Sequence, residues 1–286
     1  MGILLVVMTD REWIWIAAAC YLAGVVIGTV ALIRARKQPA GLIYGIIVAG
    51  FIFHTLGLYS RGLEVKGCPL GNIFEIFQFT AWSATALYLV VGITFRLSLL
   101  GYFTSLLSVV LSTVSLAIPV WDATRRVGTF GGNVWIEFHA ALALFSYGVF
   151  ALLALTSMMF LLRDHSLKNK QLSGFFSFLP SIRDLDQISV RLLTVGVVLL
   201  SASLLVGAAH WIRAFDTVNV AKLLITVAIW VAYGVAFLLR SRGKLHGTRL
   251  SWVCIILFGA ALISVYPVNS SRHGDEASKP TLPSQL

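Results

Sequence analysis

The chain has 286 residues, of which 58% are hydrophobic and only 12% charged, and its mean hydropathy is +0.88. A soluble domain carries about 25% charged residues, so a soluble globular fold is excluded and a membrane protein is expected. The net charge of +10 would suit nucleic acid, but the basic residues sit in short segments between apolar runs, as topology signals do, and no nucleic-acid partner is expected.

A membrane-spanning helix needs roughly 20 mostly apolar residues. Trp13–Ile33 and the shorter Leu223–Leu239 meet the composition without one formal charge. The pattern predicts an all-α, polytopic integral membrane protein with about eight transmembrane helices, near 13–33, 41–59, 72–95, 99–119, 134–162, 192–212, 220–239 and 250–267. The opening run Gly2–Met8 is short, lacks a basic flank and leads into Asp10, Arg11 and Glu12, so it does not read as a cleaved signal. No internal repeat stands out.

Helix one ends in Arg34, Arg36 and Lys37, and further basic clusters fill 163–191 and 240–249. Those ends are expected on the cytoplasmic side, which places both termini outside for an even helix count. Trp121, Trp135 and Trp211 then fall near the outer boundary, where an aromatic belt is expected. Asn72 and Glu75 have the spacing of an N-cap and its N3 acid, which explains Glu75 as a helix-start residue. Phe175, Phe176, Phe178 and Leu179 precede Pro180 as an interfacial segment. After Asn269 the composition turns polar, and a disordered tail is expected.

The chemistry must come from a short inventory. The sequence has no Walker loop, GxSxG, HExxH or GxGxxG, and its three cysteines form no CxxC pair. Six histidines remain. His165 and His246 lie in the basic segments and read as solvated residues, while His54, His139, His210 and His273 lie toward the outer side. Neutral imidazole can bind a metal through one ring nitrogen; a single buried histidine is more often hydrogen-bonded to a neighbouring carbonyl. Arg61, Lys66, Arg125, Arg126, Arg213 and Lys222 are expected on the same outer side, where guanidinium groups suit carboxylates and also suit lipid headgroups.

The stretch Gly57–Trp82 (GLYSRGLEVKGCPLGNIFEIFQFTAW) resembles a segment of the CcsA-type cytochrome c assembly family. Trp135–Phe150 resembles that family's histidine-bearing helix, Leu185–Ala208 the helix entering its tryptophan-rich motif, and Arg249–Gly274 its last helix and external histidine. The similarity runs over about residues 45–275 in the family's order. It implies a haem-handling membrane domain there, with residues 1–44 as an N-terminal helix and cytoplasmic turn and 276–286 as a disordered external tail.

The resemblance further implies haem held at the outer face of a bacterial-type inner (plasma) membrane, for cytochrome c biogenesis. His139 and His273 take the positions of the family's two haem-iron ligands, with His210 in reserve. Trp135 and Trp211, with Trp121 and Phe215, would wall the ring, and Arg125 and Arg126 would meet its propionates. Haem b is the implied cofactor, and a membrane partner subunit and apocytochrome c are the implied partners. One departure is marked: where the family has a tryptophan-rich loop, this chain has HWIRAFDTVNVAK, His210–Lys222. Size and that change resemble the HemX-like or YpjD-like branch, so the alternative expectation is a membrane accessory that regulates haem biosynthesis. A small-solute permease fits less well, because broken-helix signals are missing. Whether the chain is an enzyme is left open.

Overall fold

The computed structural model describes residues 8–34, 39–95, 98–123, 133–170, 179–211 and 220–277, with the backbone alone for the helical residues 91–95, 98, 210–211, 221–222 and 264–277. The described chain is all-helical. Its elements are α1 (Asp10–Ile33), α2 (Ala40–Val65), α3 (Ile73–Phe95), α4 (Ser98–Ala117), a single 3-10 turn (Pro119–Asp122), α5 (Val134–Lys168), α6 (Ile182–Trp211), α7 (Val220–Ser241) and α8 (Gly247–Ala277). Seven of the eight helices are long and apolar enough to cross a membrane, and α8 adds a shorter apolar stretch, Gly247–Ile263. The chain is therefore a multi-pass membrane protein.

Helix starts follow local chemistry. Thr9 and Glu12 form a reciprocal capping box, Glu12 N donating to Thr9 Oγ1 and Thr9 N to the Glu12 carboxylate at 2.7 Å, which satisfies two donors left open at a helix start. Asn133 caps α5 by accepting from Trp135 N at 3.0 Å. Lys66 closes α2 in the left-handed region, at φ 53°.

Two groups of helices pack side by side. In the first, α1 lies against α2 and α4, and α3 against α2 and α4; in the second, α5 lies against α6 and α8, with α7 bridging α6 and α8. The contact between α3 and α5 joins them. There Gly148 permits a close approach: a Cβ on it would meet the Ser83 side chain and come within 2.8 Å of Ala84 N. The second group has an apolar interior, in which Phe150 stacks on Tyr233 with 3.6 Å between ring centroids. Helix α7 is peripheral, with only 11% of its apolar stretch buried, as suits a helix whose outward face meets lipid.

The first group is built differently. Along α2 the buried residues are Ile43, Ile47, Gly50, His54, Gly57, Leu58, Arg61 and Val65. The two glycines let α1 come close: a Cβ on Gly50 would lie 2.8 Å from Tyr21 Cε1, and one on Gly57 would lie 2.7 Å from Ile14 Cγ1. His54 and Arg61 thus point into the shared interior, with Ser105, Ser108, Ser112 and Ser115 of α4 also buried.

Element boundaries differ from the sequence expectation at several helix ends. Helix α2 extends to Val65, so Arg61 is a helical residue and not a loop cation. Helix α6 begins at Ile182, about three turns before the apolar run, because its first turns carry Arg183, Asp184, Asp186 and Arg191 outside the apolar part. Helix α8 continues to Ala277, so His273 lies on a helical extension where a flexible polar segment was expected. Phe175, Phe176 and Phe178 lie outside the described residues, while Leu179 is buried.

Arg61 is fully buried and joined to carboxylates on α1, α3 and the 3-10 turn. Removing one partner of a buried ion pair costs about 3–5 kcal/mol. Arg61→Met is expected to lower thermal stability by that order, measured as the loss of folded protein on heating in detergent, whereas Arg242→Met at an exposed position is expected to change it little.

Candidate functional site

The direction of each helix brings one set of ends together. The start of α1, the end of α2, the start of α3 and the 3-10 turn meet through Arg61. Gly67, after α2, lies beside Glu137 in the first turn of α5, and His139 on α5 meets Ser203 near the end of α6. The opposite end carries Asp186 with Arg240 and Asp164 with Lys168. His165 and His246 are exposed at that opposite end, as expected of solvated residues.

His139 is held at this end by defined contacts, whereas His54 lies buried within α2 beside Tyr21. His139 Nδ1 lies 2.6 Å from the Ser203 carbonyl oxygen. A carbonyl can only accept, so Nδ1 carries the proton and the neutral ring has its lone pair on Nε2. Ser203 Oγ donates back to the His139 backbone carbonyl at 2.9 Å, so one residue of α6 ties both the ring and the main chain of His139. Gly207, one turn beyond Ser203, makes space for that ring: a Cβ there would stand 2.7 Å from His139 Cε1. An imidazole with one ring nitrogen donating to a carbonyl and the other carrying the lone pair is the arrangement found in metal-bound histidines.

The remaining expected residues distribute unevenly. Trp135 is 68% exposed on α5 and faces outward. His210 follows Gly207 by three residues and lies at the end of α6, with Trp211 beside it; His273 lies on the last turns of α8. For these three the backbone alone is described. Arg125, Arg126, Arg213 and Phe215 lie outside the described residues. Trp121 belongs to the 3-10 turn and packs on Phe77 of α3, with 5.0 Å between centroids. The structure therefore brings His139 together with the end of α6.

Sequence reasoning missed the ion network. Arg61 donates from Nη1 to Asp10 at 2.8 Å, from Nε to Glu75 at 2.7 Å, and from Nη2 to Asp122. Asp122 also accepts from Arg11 at 2.7 Å, and Arg11 donates to the Leu116 carbonyl at 2.8 Å. Both guanidinium groups lie over the Phe74 ring, at 5.3 and 5.4 Å, a cation–π contact. The Asn72 cap on Glu75 is present, at 2.9 Å, but Glu75 has a second task in orienting Arg61. Arg61 is thus committed to protein carboxylates, which corrects its reading as a partner for an external ligand. Its position inside an apolar helix was the available signal, since buried arginines are rare unless paired.

This end of the chain also holds Cys68, in the turn between α2 and α3. Burial pushes its thiol up to about 11, and the neighbouring Glu137 and Glu75 carboxylates push the same way.

Residues 70–274, more than two thirds of the chain, match the family model described as cytochrome c assembly protein. The chain belongs to that family. It is similar to Protein HemX of Brevibacillus brevis, 26% identical over 201 residues that cover 70% of this chain and 74% of the relative. It is also similar to Inner membrane protein YpjD of Escherichia coli K12, 27% identical with 53% and 57% covered, and to Cytochrome c biogenesis protein CcsA of Guillardia theta, 26% identical with 61% and 64% covered. The match thus spans somewhat under two thirds of the YpjD and CcsA chains.

The raised Cys68 pKa makes a reactivity prediction. Only the thiolate attacks a maleimide, and here burial and two acids disfavour it. In a variant retaining Cys68 alone, labelling is expected to be slow at pH 7 and to keep rising past pH 10, and Glu137→Gln is expected to shift that rise to lower pH. A labelling profile centred near pH 8.5 would contradict the assignment.

Proposed function

We propose that this chain holds haem at the outer face of the membrane for cytochrome c biogenesis, with His139 and His273 as axial ligands to iron and His210 in reserve. Membership of the cytochrome c assembly family supports a haem-related membrane role. The observation that carries the finer reading is His139: its Nδ1–H is committed to the Ser203 carbonyl, so Nε2 is the basic nitrogen. In this reading haem is cargo, carried as haem b before attachment, and supplies the iron centre that the imidazoles hold. The chain's own residues orient and retain it. Trp135 and Trp211 would cover the ring, and Arg125 and Arg126 would pair with propionates through their planar donor forks. A membrane partner subunit and apocytochrome c are the proposed partners, in a bacterial-type inner membrane.

The sidedness of this reading follows from the basic ends of the helices, which assign the Asp10 end to the outside. The start of α1 and the end of α8 would then be external. Reporter fusions at Lys170 and Gly243 should read cytoplasmic and fusions at Gly131 or Ser270 external. An external signal at Lys170 would put every proposed ligand on the wrong side.

One observation favours a second reading, in which the chain is a membrane accessory regulating haem biosynthesis. The run His210–Lys222 stands where the resembled family has a tryptophan-rich loop. Visible spectra separate the two readings. Wild-type protein purified with haem available should show a low-spin Soret band; His139→Ala and His273→Ala should insert normally and lose it, and added imidazole should restore part of it by filling the vacated position. Gly207→Leu, whose side chain would occupy the space of the His139 ring, should weaken the band. A wild-type protein without a Soret band would favour the regulatory reading.

A further inference from the structure

Ser203 behaves unlike its neighbours Thr194 and Ser201 on α6. Thr194 Oγ1 donates to the Val190 carbonyl at 2.8 Å and Ser201 Oγ to the Val197 carbonyl at 2.7 Å, each four residues back along the same helix. Such back-bonding is the usual fate of a hydroxyl in the middle of a helix. Ser203 is 0% exposed and donates across to α5 instead, to the His139 backbone carbonyl. Its Oγ also lies 3.0 Å from His139 Nδ1, and its carbonyl oxygen lies 2.6 Å from the same nitrogen. One serine thus makes three contacts with one histidine.

The carbonyl contact is the unusual one, because Ser203 sits inside a helix. In a regular α-helix that oxygen already accepts from the N–H of residue 207, four positions on. A carbonyl oxygen has a second lone pair, and a ring can reach it only where no side chain stands in the way. Position 207 is glycine. A Cβ there would lie 2.7 Å from His139 Cε1 and 2.8 Å from Nδ1, nearer than real Cβ atoms come to anything. The three atoms nearest to that Cβ all belong to the imidazole, so the room is made for the ring. Glycine weakens a helix interior, and the backbone here is not in the left-handed region that would call for it. What glycine supplies at 207 is an uncovered Ser203 carbonyl.

We propose that Gly207 and Ser203 are positioning residues that bias the iron site toward ferric haem. The inference rests on the haem reading above, with His139 Nε2 as an iron ligand. A short hydrogen bond from Nδ1–H to a carbonyl leaves negative charge on the ring and makes Nε2 the stronger donor to a metal. In a part-buried, weakly polar site the bond is electrostatically stronger than in water. A stronger donor favours Fe(III) over Fe(II), and hydrogen bonding around an axial ligand is one of a protein's levers on haem potential. No electron moves in this assignment. The protein holds one oxidation state more tightly than the other, and the potential falls by the difference in binding. Residue 207 therefore sets a specificity, for ferric over ferrous porphyrin.

The first measurement needs no haem. The full chain, carrying ring-15N histidine, is placed in lipid nanodiscs, and the His139 signals in the nitrogen NMR spectrum are assigned from His139→Gln. The wild-type ring should be the Nδ1–H tautomer, and Gly207→Ala should give a mixture with the Nε2–H form. A wild-type ring in the Nε2–H form overturns the inference, and so does a Gly207→Ala ring with unshifted signals. The second measurement is the midpoint potential of the haem-loaded protein, by redox titration of its visible spectrum. Gly207→Ala should raise it by about 59 mV, a tenfold loss of ferric over ferrous preference for a one-electron couple. Ser203→Ala keeps the carbonyl and loses the hydroxyl; it should raise the potential by less, and it replaces Gly207→Ala if that variant does not insert. Ser201→Ala changes the α6–α7 contact with Trp230 and should leave both readouts where they are. A potential unmoved by Gly207→Ala overturns the ferric bias. A wild-type protein without a Soret band overturns the haem reading and the ferric bias with it, whereas the tautomer lock stands or falls on the nitrogen spectrum alone.

Discussion

A guanidinium group buried where helices begin and end governs the first half of this protein. Arg61 has no access to water, and its three donors are distributed to Asp10, Glu75 and Asp122. Such a group is tolerable only when its partners are fixed and hydrogen-bonded. The partners come from three separate segments, so satisfying Arg61 sets the height of α1 and α3 against α2 and holds the turn after α4 in place. Arg11 adds a second tie from the start of α1 to Asp122 and to the end of α4. The constraint is directional in a way apolar packing is not. Between lipid tails, bringing two apolar helix faces together gains little, because the tails are equally apolar.

That difference separates the two helical groups. The α5–α8 group packs through rings and aliphatic side chains such as Phe150, Leu152, Leu193 and Tyr233. The α1–α4 group packs through polar side chains, with glycines at positions 50 and 57 admitting α1 close to α2. Polar pairs specify one register, since a slip of one residue would strand Arg61 and Gln78 without partners.

The sequence carried the spans clearly, since uncharged apolar runs of about 20 residues have few other uses. It carried the Asn72–Glu75 cap because that signal is local. The partners of Arg61 were out of reach of any window: Asp10 and Asp122 lie 51 and 61 residues away from it, and only the tertiary fold joins them. Hydropathy also stopped α2 early and began α6 late, because Arg61 and the charged turn Arg183–Asp186 resemble loop composition until their helical partners are known. For His139 the residue type and place could be read, but the tautomer could not, as it depends on a carbonyl 64 residues further along the chain.

Helix α3 links the two halves of the argument. One face carries Glu75 and Gln78 into the polar interior, and another carries Ser83 and Ala84 against Gly148 of α5. Because a Cβ at Gly148 would collide with α3, the two helices are in backbone contact and cannot shift independently. A change at Arg61 that lets α3 slide must therefore move α5, and with it the ring of His139. That ring is tethered to Ser203 on α6, so the displacement would appear as a weakened clamp on His139 and not as a uniform loosening of the bundle. Helix α3 is in this way the element that packs against both the ion network and the helix bearing the histidine.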